Sequence, residues 1–288
     1  MENNQKIPRI LSRVTAALAG TGGLEAIVLG GSHAAGNARE GSDLDIGLYY
    51  RGTLDVSLLN RKAAALDDRG QEGLVTQVGE WGPWINGGGW LVVDGMHVDL
   101  LFRDLDKAAR VADECRRGVV TLHYQCGHPF AFVNAIYLGE LQLCRILWEK
   151  SGAVTALKRE TAGFSPQYRR AAVEKFLWEA GFSLSCGRSS IRKGDLLYGS
   201  GSLFRAANCL IQALYALNRS YVLNEKGSLE RLCRLPGVWL PPGFARDLNR
   251  AMEGLSLPSL PDSFALLEKQ RENVEEYWQQ EKKKLDIP

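Results

Sequence analysis

The chain has 288 residues, 45% of them hydrophobic and 24% charged, with a net charge of +2. That composition suits a soluble globular protein of one large domain or two ordinary ones. No uninterrupted apolar run approaches the roughly 20 residues of a membrane span, and the first residues, MENNQKIPRILSRV, lack the apolar core of a signal peptide. A cytoplasmic location is the expectation. Six scattered cysteines without a CxxC pair argue against a zinc ribbon or a disulfide framework. Charge is uneven along the chain: residues 1–150 hold 15 Lys and Arg against 18 Asp and Glu, and the remainder 20 against 15.

In chain order, apolar residues at helical spacing (Ile10, Leu11, Val14, Leu18) predict a helix over 7–19 that stops at Gly20. Leu24 to Leu29 reads as a buried strand. The turn Gly30-Gly31-Ser32 follows, and Ser32 is placed to cap a short helix through Ala38. Leu44 to Tyr50 is the next strand, with Asp43 at its mouth and Asp45 within it. Residues two apart on a strand face the same way, so the two carboxylates form a repelling pair that invites a hard divalent cation. The upstream turn offers backbone N–H groups to an anion.

A helix is predicted over 56–67 and a strand over 74–78. A Gly- and Trp-rich loop with Trp81, Trp84 and Trp90 follows; it serves equally as a stacking surface for an acceptor or as an anchor packed on the core. Residues 91–102 read as a hairpin turning at Asp94-Gly95. Its second strand puts His97, Asp99 and Leu101 on one face. A charged helix covers 104–117. From about Ala131 the pattern reads as wholly helical, with helices expected over 131–150, 166–188, 195–218, 228–235, 243–254 and 262–285. This switch suggests two domains, 1–125 mixed α/β and 126–288 helical.

Asp43, Asp45 and Asp99 on neighbouring strands form a set able to hold two Mg²⁺ ions. One would grip a triphosphate, and the other would steady the α-phosphorus and acidify an attacking hydroxyl. Asp99 would take that hydroxyl's proton. His33 could touch a phosphate but reads better as a solvent-facing first-turn residue; the loose cluster His123/Cys126/His128 reads better as an interdomain loop than as a metal site; and the basic patch Arg188/Arg192/Lys193 could attract phosphate or an RNA backbone but reads better as a solvated helix end.

The order apolar-Gly-Gly-Ser, ten residues, Asp-Leu-Asp-Ile, then a later Val-Asp-Leu strand resembles the polymerase-β-type nucleotidyltransferase superfamily over residues 24–105. The resemblance implies an α+β fold: a small mixed β-sheet with flanking helices, followed by an all-helical domain. It implies that Gly31 and Ser32 hold the triphosphate and that Asp43, Asp45 and Asp99 bind metal. The helical half is more loosely similar to kanamycin- or lincosamide-type antibiotic nucleotidyltransferases. There the segment Tyr215–Lys226 resembles a helix and turn, which implies that Lys226 meets the triphosphate and Tyr221 packs near the nucleotide. The expected reaction moves NMP, with AMP from ATP as the first choice, to a hydroxyl of a small molecule, an antibiotic among the candidates. A macromolecular acceptor (a tRNA end or a protein side chain) and a non-catalytic nucleotide-binding module stay open, as does the oligomeric state. No membrane partner is expected.

Overall fold

The structure is a computed structural model describing residues 3–36 and 38–284. In order, the elements are α1 (Asn3–Leu18), β1 (Leu24–Leu29), α2 (Gly31–Ala34), β2 (Leu44–Tyr50), α3 (Val56–Leu66), β3 (Gly88–Val93), β4 (Met96–Asp104) and α4 (Leu105–Arg116). Then come β5 (Leu122–His123), β6 (Phe132–Val133), α5 (Ile136–Leu143), β7 (Arg145–Glu149) and α6 (Ala153–Glu160). The rest is α7 (Pro166–Gly187), α8 (Ser189–Lys193), α9 (Leu196–Leu217), α10 (Ser228–Cys233), α11 (Phe244–Met252) and α12 (Leu260–Lys284). The α+β class expected from the sequence is what the chain adopts. Two compact units emerge: residues 1–113, 123–127 and 137–163 in the first, and 114–122, 128–136 and 164–288 in the second.

The first unit is built on a five-stranded sheet ordered β3-β4-β2-β1-β7. Only β2 and β4 run parallel, joined by a crossover that includes α3; the other neighbours are antiparallel. Alternation along the strands sends Leu44, Ile46, Leu48, Leu91, Val98, Leu100 and Phe102 to one face, where they pack with Ile10, Val14 and Leu18 of α1 and Leu59 and Ala63 of α3. Burying each such aliphatic side chain contributes about 1.5–3 kcal/mol. The hairpin turn has both central residues at positive φ, Asp94 at 52° and Gly95 at 70°, as the Asp-Gly pair predicts. Arg9 and Arg13, one turn apart on α1, clamp the Asp94 carboxylate at 2.9 and 2.6 Å. They hold that carboxyl below its ordinary range.

The second unit is a helical core. The 22-residue α7 and α9 pack closely against each other and α12 packs on both. Capping is local: Ser165 Oγ accepts from Tyr168 N, and Asp195 Oδ1 from Tyr198 N. Small residues permit close approach. A Cβ at Gly187 would sit 2.6 Å from Ser202 and 2.7 Å from the Phe264 ring. In this unit no disulfide forms; Cys115 and Cys209 are buried thiols, and burial raises the Cys115 thiol to about 12.

Three local expectations are corrected. The helix over 131–150 is instead β6, α5 and β7: RILWE is a short run of large apolar side chains, and β1 supplies an antiparallel edge for it. The strand over 74–78 reduces to one bridge, Val75 to Gly89. The short helix after the Gly-Gly turn begins at Gly31 with Gly30 as its cap, so Ser32 lies inside the first turn and makes no side-chain cap. No described helix is long and apolar enough to cross a membrane.

Candidate functional site

The strand registers bring Asp45 and Asp99 side by side. Asp45 on β2 pairs with Asp99 on β4 across the parallel ladder, on the face turned away from the aliphatic core. Adjacent strands lie about 4.8 Å apart, so both carboxylates stand within one strand spacing. Asp43 precedes the strand, exposed to solvent. Burial pushes the Asp45 carboxyl up to about 6, with further upward pressure from Asp99, Asp43 and Glu140 and relief from His33. Asp99 is also raised, by burial first and then by Asp43, while His97 lowers it.

The Gly-Gly turn touches this group directly. Gly30 N–H donates to the Asp45 carbonyl at 2.8 Å. Gly31 adopts φ +54°, and a Cβ there would lie 1.7 Å from Asp45 Oδ2. Glycine is required at this position twice over, by its left-handed backbone and by the absence of room. His33 Nε2–H donates to the Ser42 carbonyl at 3.2 Å, so this imidazole braces the segment leading to Asp43. Asn37, in the same segment, lies outside the described residues.

A second polar group on this face escaped the sequence reading. Arg103 lies on the Asp99 side of β4, four residues on, and is 3% exposed. It donates from Nε and Nη2 to the two Glu140 oxygens at 2.8 and 2.7 Å, a bidentate pair from α5. Period-two alternation carried one step past Leu101 would have put Arg103 in line with Asp99; its partner 37 residues away carried no sequence signal.

Among the described residues, no three His, Cys, Asp or Glu side chains close around a point as a ready-made metal cage. The donor set nevertheless fits Mg²⁺. These are hard carboxylate oxygens crowded enough to repel, and Mg²⁺ is commonly held by one or two carboxylates with substrate phosphates completing the shell.

The other sequence candidates divide between the units. His123 stacks on Trp84 in the first unit at 4.1 Å, whereas His128 in the second bonds the Glu225 carboxylate at 2.9 Å. Arg188 is engaged with Glu268 through Nε at 2.6 Å. Tyr221 is buried in the second unit against Phe164 and Tyr168, with ring centroids 4.6 and 5.4 Å away, and burial raises its phenol. Lys226 lies exposed in the turn before α10, its backbone N–H donating to Asn224 Oδ1.

Residues 17–115 match the family model described as a nucleotidyltransferase domain, about a third of the chain. The chain thus carries a domain of nucleotidyl-transferring enzymes. Among solved structures, a nucleotidyltransferase-like protein from Exiguobacterium sibiricum is similar at 13% identity and a TM-score of 0.43, over 99% of this chain and 81% of that one. A similarity at that level carries no weight of its own. No curated protein matches the chain.

Proposed function

We propose, taking as premise the nucleotidyltransferase domain at residues 17–115, that the protein transfers NMP from a nucleoside triphosphate to a hydroxyl of a small molecule, with ATP as donor. The observation that carries this reading is the Asp45–Asp99 register pair with Gly31 pressed against the Asp45 carboxylate. Asp43, Asp45 and Asp99 would hold Mg²⁺, two ions by the superfamily resemblance. Bound Mg²⁺ neutralises triphosphate charge and acidifies the acceptor hydroxyl.

The residues' own roles follow from their placement. Gly31 and Ser32 hold phosphate oxygens at the turn. Asp99, the less enclosed carboxylate of the register pair, takes the proton from the acceptor O–H. That oxygen bonds to the α-phosphorus, the bond from the α-phosphorus to the bridging oxygen breaks, and pyrophosphate departs with the electron pair. Asp45 is fixed by the turn and supplies charge at the α-phosphate. The division into a catalytic region, 1–125, and a substrate region, 126–288, belongs to the same reading.

The test is pyrophosphate release with labelled NTPs, Mg²⁺ and a panel of hydroxyl-bearing small molecules. Asp99→Asn should lower the rate by roughly 10²–10⁴-fold. Release that is absent with every acceptor, or unchanged in Asp45→Asn, would remove the reading.

A further inference from the structure

The row of side chains that begins with the two aspartates does not end with them. Asp99 pairs on its other side with Trp90 of β3, so Asp45, Asp99 and Trp90 stand in register across three adjacent strands. Directly paired residues of an antiparallel ladder project to the same face with Cβ atoms about 5 Å apart. The Trp90 indole therefore neighbours the carboxylate that faces the acceptor.

This indole is 59% exposed, although Trp is a residue that folding tends to cover. It is also held in place. Trp81 stacks on it with centroids 4.6 Å apart and 28° between planes. Trp81 in turn lies over Gly88, where a Cβ would meet its Cζ3 at 2.9 Å. Gln125, 3% exposed, fixes the loop by donating to the Trp81 carbonyl at 2.6 Å and accepting from Ile85 N–H at 3.1 Å. One side of the Trp90 ring is thus backed by a second indole on a pinned loop, and much of its surface stays open beside the carboxylates.

We propose that Trp90, backed by Trp81, is the platform on which the acceptor lies, and that the acceptor is a small polyhydroxylated ring, a sugar or a cyclitol. The inference rests on the nucleotidyl-transfer reading of the same site. Such a ring has an apolar C–H face that suits an indole, and its rim hydroxyls hydrogen-bond to carboxylates. A ring hydroxyl over Trp90 lies one strand spacing from Asp99, the group that takes its proton. A nucleic-acid end would add its backbone phosphates to those of the triphosphate beside the three carboxylates, with charge beyond what the bound metal neutralises. Trp90 is a specificity-determining residue in this scheme.

The experiment uses the full chain with ¹⁵N-labelled tryptophan, following indole N–H signals by NMR. Trp90 is identified by the signal missing from Trp90→Phe. The probes are kanamycin, lincomycin and a short oligoribonucleotide ending in CCA; Mg²⁺ with a non-hydrolysable ATP analogue is titrated separately. At least one ring probe is expected to shift the Trp90 signal. Trp90→Ala should raise its Kd roughly tenfold while the Kd of the ATP analogue stays unchanged, and Trp90→Phe should retain most of the affinity. The proposal is overturned if neither ring probe moves the Trp90 signal, if Trp90→Ala leaves ring binding intact, or if the oligonucleotide alone moves it. Failure of pyrophosphate release in the parallel assay removes the nucleotidyl-transfer reading instead, and the ring titration still decides the platform.

Discussion

Asp45 is where the site's electrostatic tension is most concentrated. Its carboxyl is held at about 6 against an ordinary 3.8. In the metal-free protein the folded state therefore binds more protons than the unfolded chain between those values, and stability falls as pH rises through that window. Above about 6 the full penalty is present; below 3.8 it vanishes. Asp45→Asn should accordingly stabilise the EDTA-treated protein by up to about 3 kcal/mol at pH 8 and by nothing near pH 3, as thermal melts across that range would show. Mg²⁺ should raise the melting temperature of the parent and not of the variant. At Gly31 the constraint is steric. Gly31→Ala forces the Asp45 carboxylate aside and strains the backbone, costing about 1–3 kcal/mol, and it should abolish transfer in the pyrophosphate assay. These aspartates and glycines were legible in the sequence because period-two geometry and turn chemistry are local. The 1.7 Å approach of the Gly31 position to Asp45 was not, since it depends on how the turn folds back over β2.

At the scale of elements, the Arg103–Glu140 pair ties α5 to the sheet. Arg103 is nearly fully buried and Glu140 partly so, with side chains 4% and 28% exposed. Removing the carboxylate leaves a guanidinium charge without its partner. Glu140→Gln should cost about 2–4 kcal/mol, toward the lower end for such pairs because Glu140 is partly solvated, measurable by urea denaturation. Glu140 also presses on Asp45, so the variant should make the Asp45 penalty smaller and bring it to its full size at a lower pH. The hairpin and β1 and β2 were readable from alternation and the Asp-Gly turn. The segment Phe132–Glu149 was not. Its near-continuous apolar character fits a helix and a buried strand equally, and only the free edge of β1 decides for β7.

Across the molecule, the long helices of the second unit were foreseen within two residues at most ends, and the structure caps two of their starts with Ser165 and Asp195. Which segments group together is a different matter. Tyr137–Gly163 clusters with the first unit, because β7 completes a sheet begun more than a hundred residues earlier, and no local pattern encodes that return. The second unit has its own core, in which Phe264 is fully buried beside Gly187. Phe264→Ala should cost about 3–5 kcal/mol. Its effect should fall on amide hydrogen exchange in α7, α9 and α12, with the β2–β4 ladder protected as before. The stacked indoles of Trp81 and Trp90 have an optical consequence too. Two such chromophores in van der Waals contact share their excitation, so they should give an exciton couplet in the circular dichroism spectrum that Trp81→Phe removes. The protein thereby carries an intrinsic, label-free reporter one strand away from Asp99.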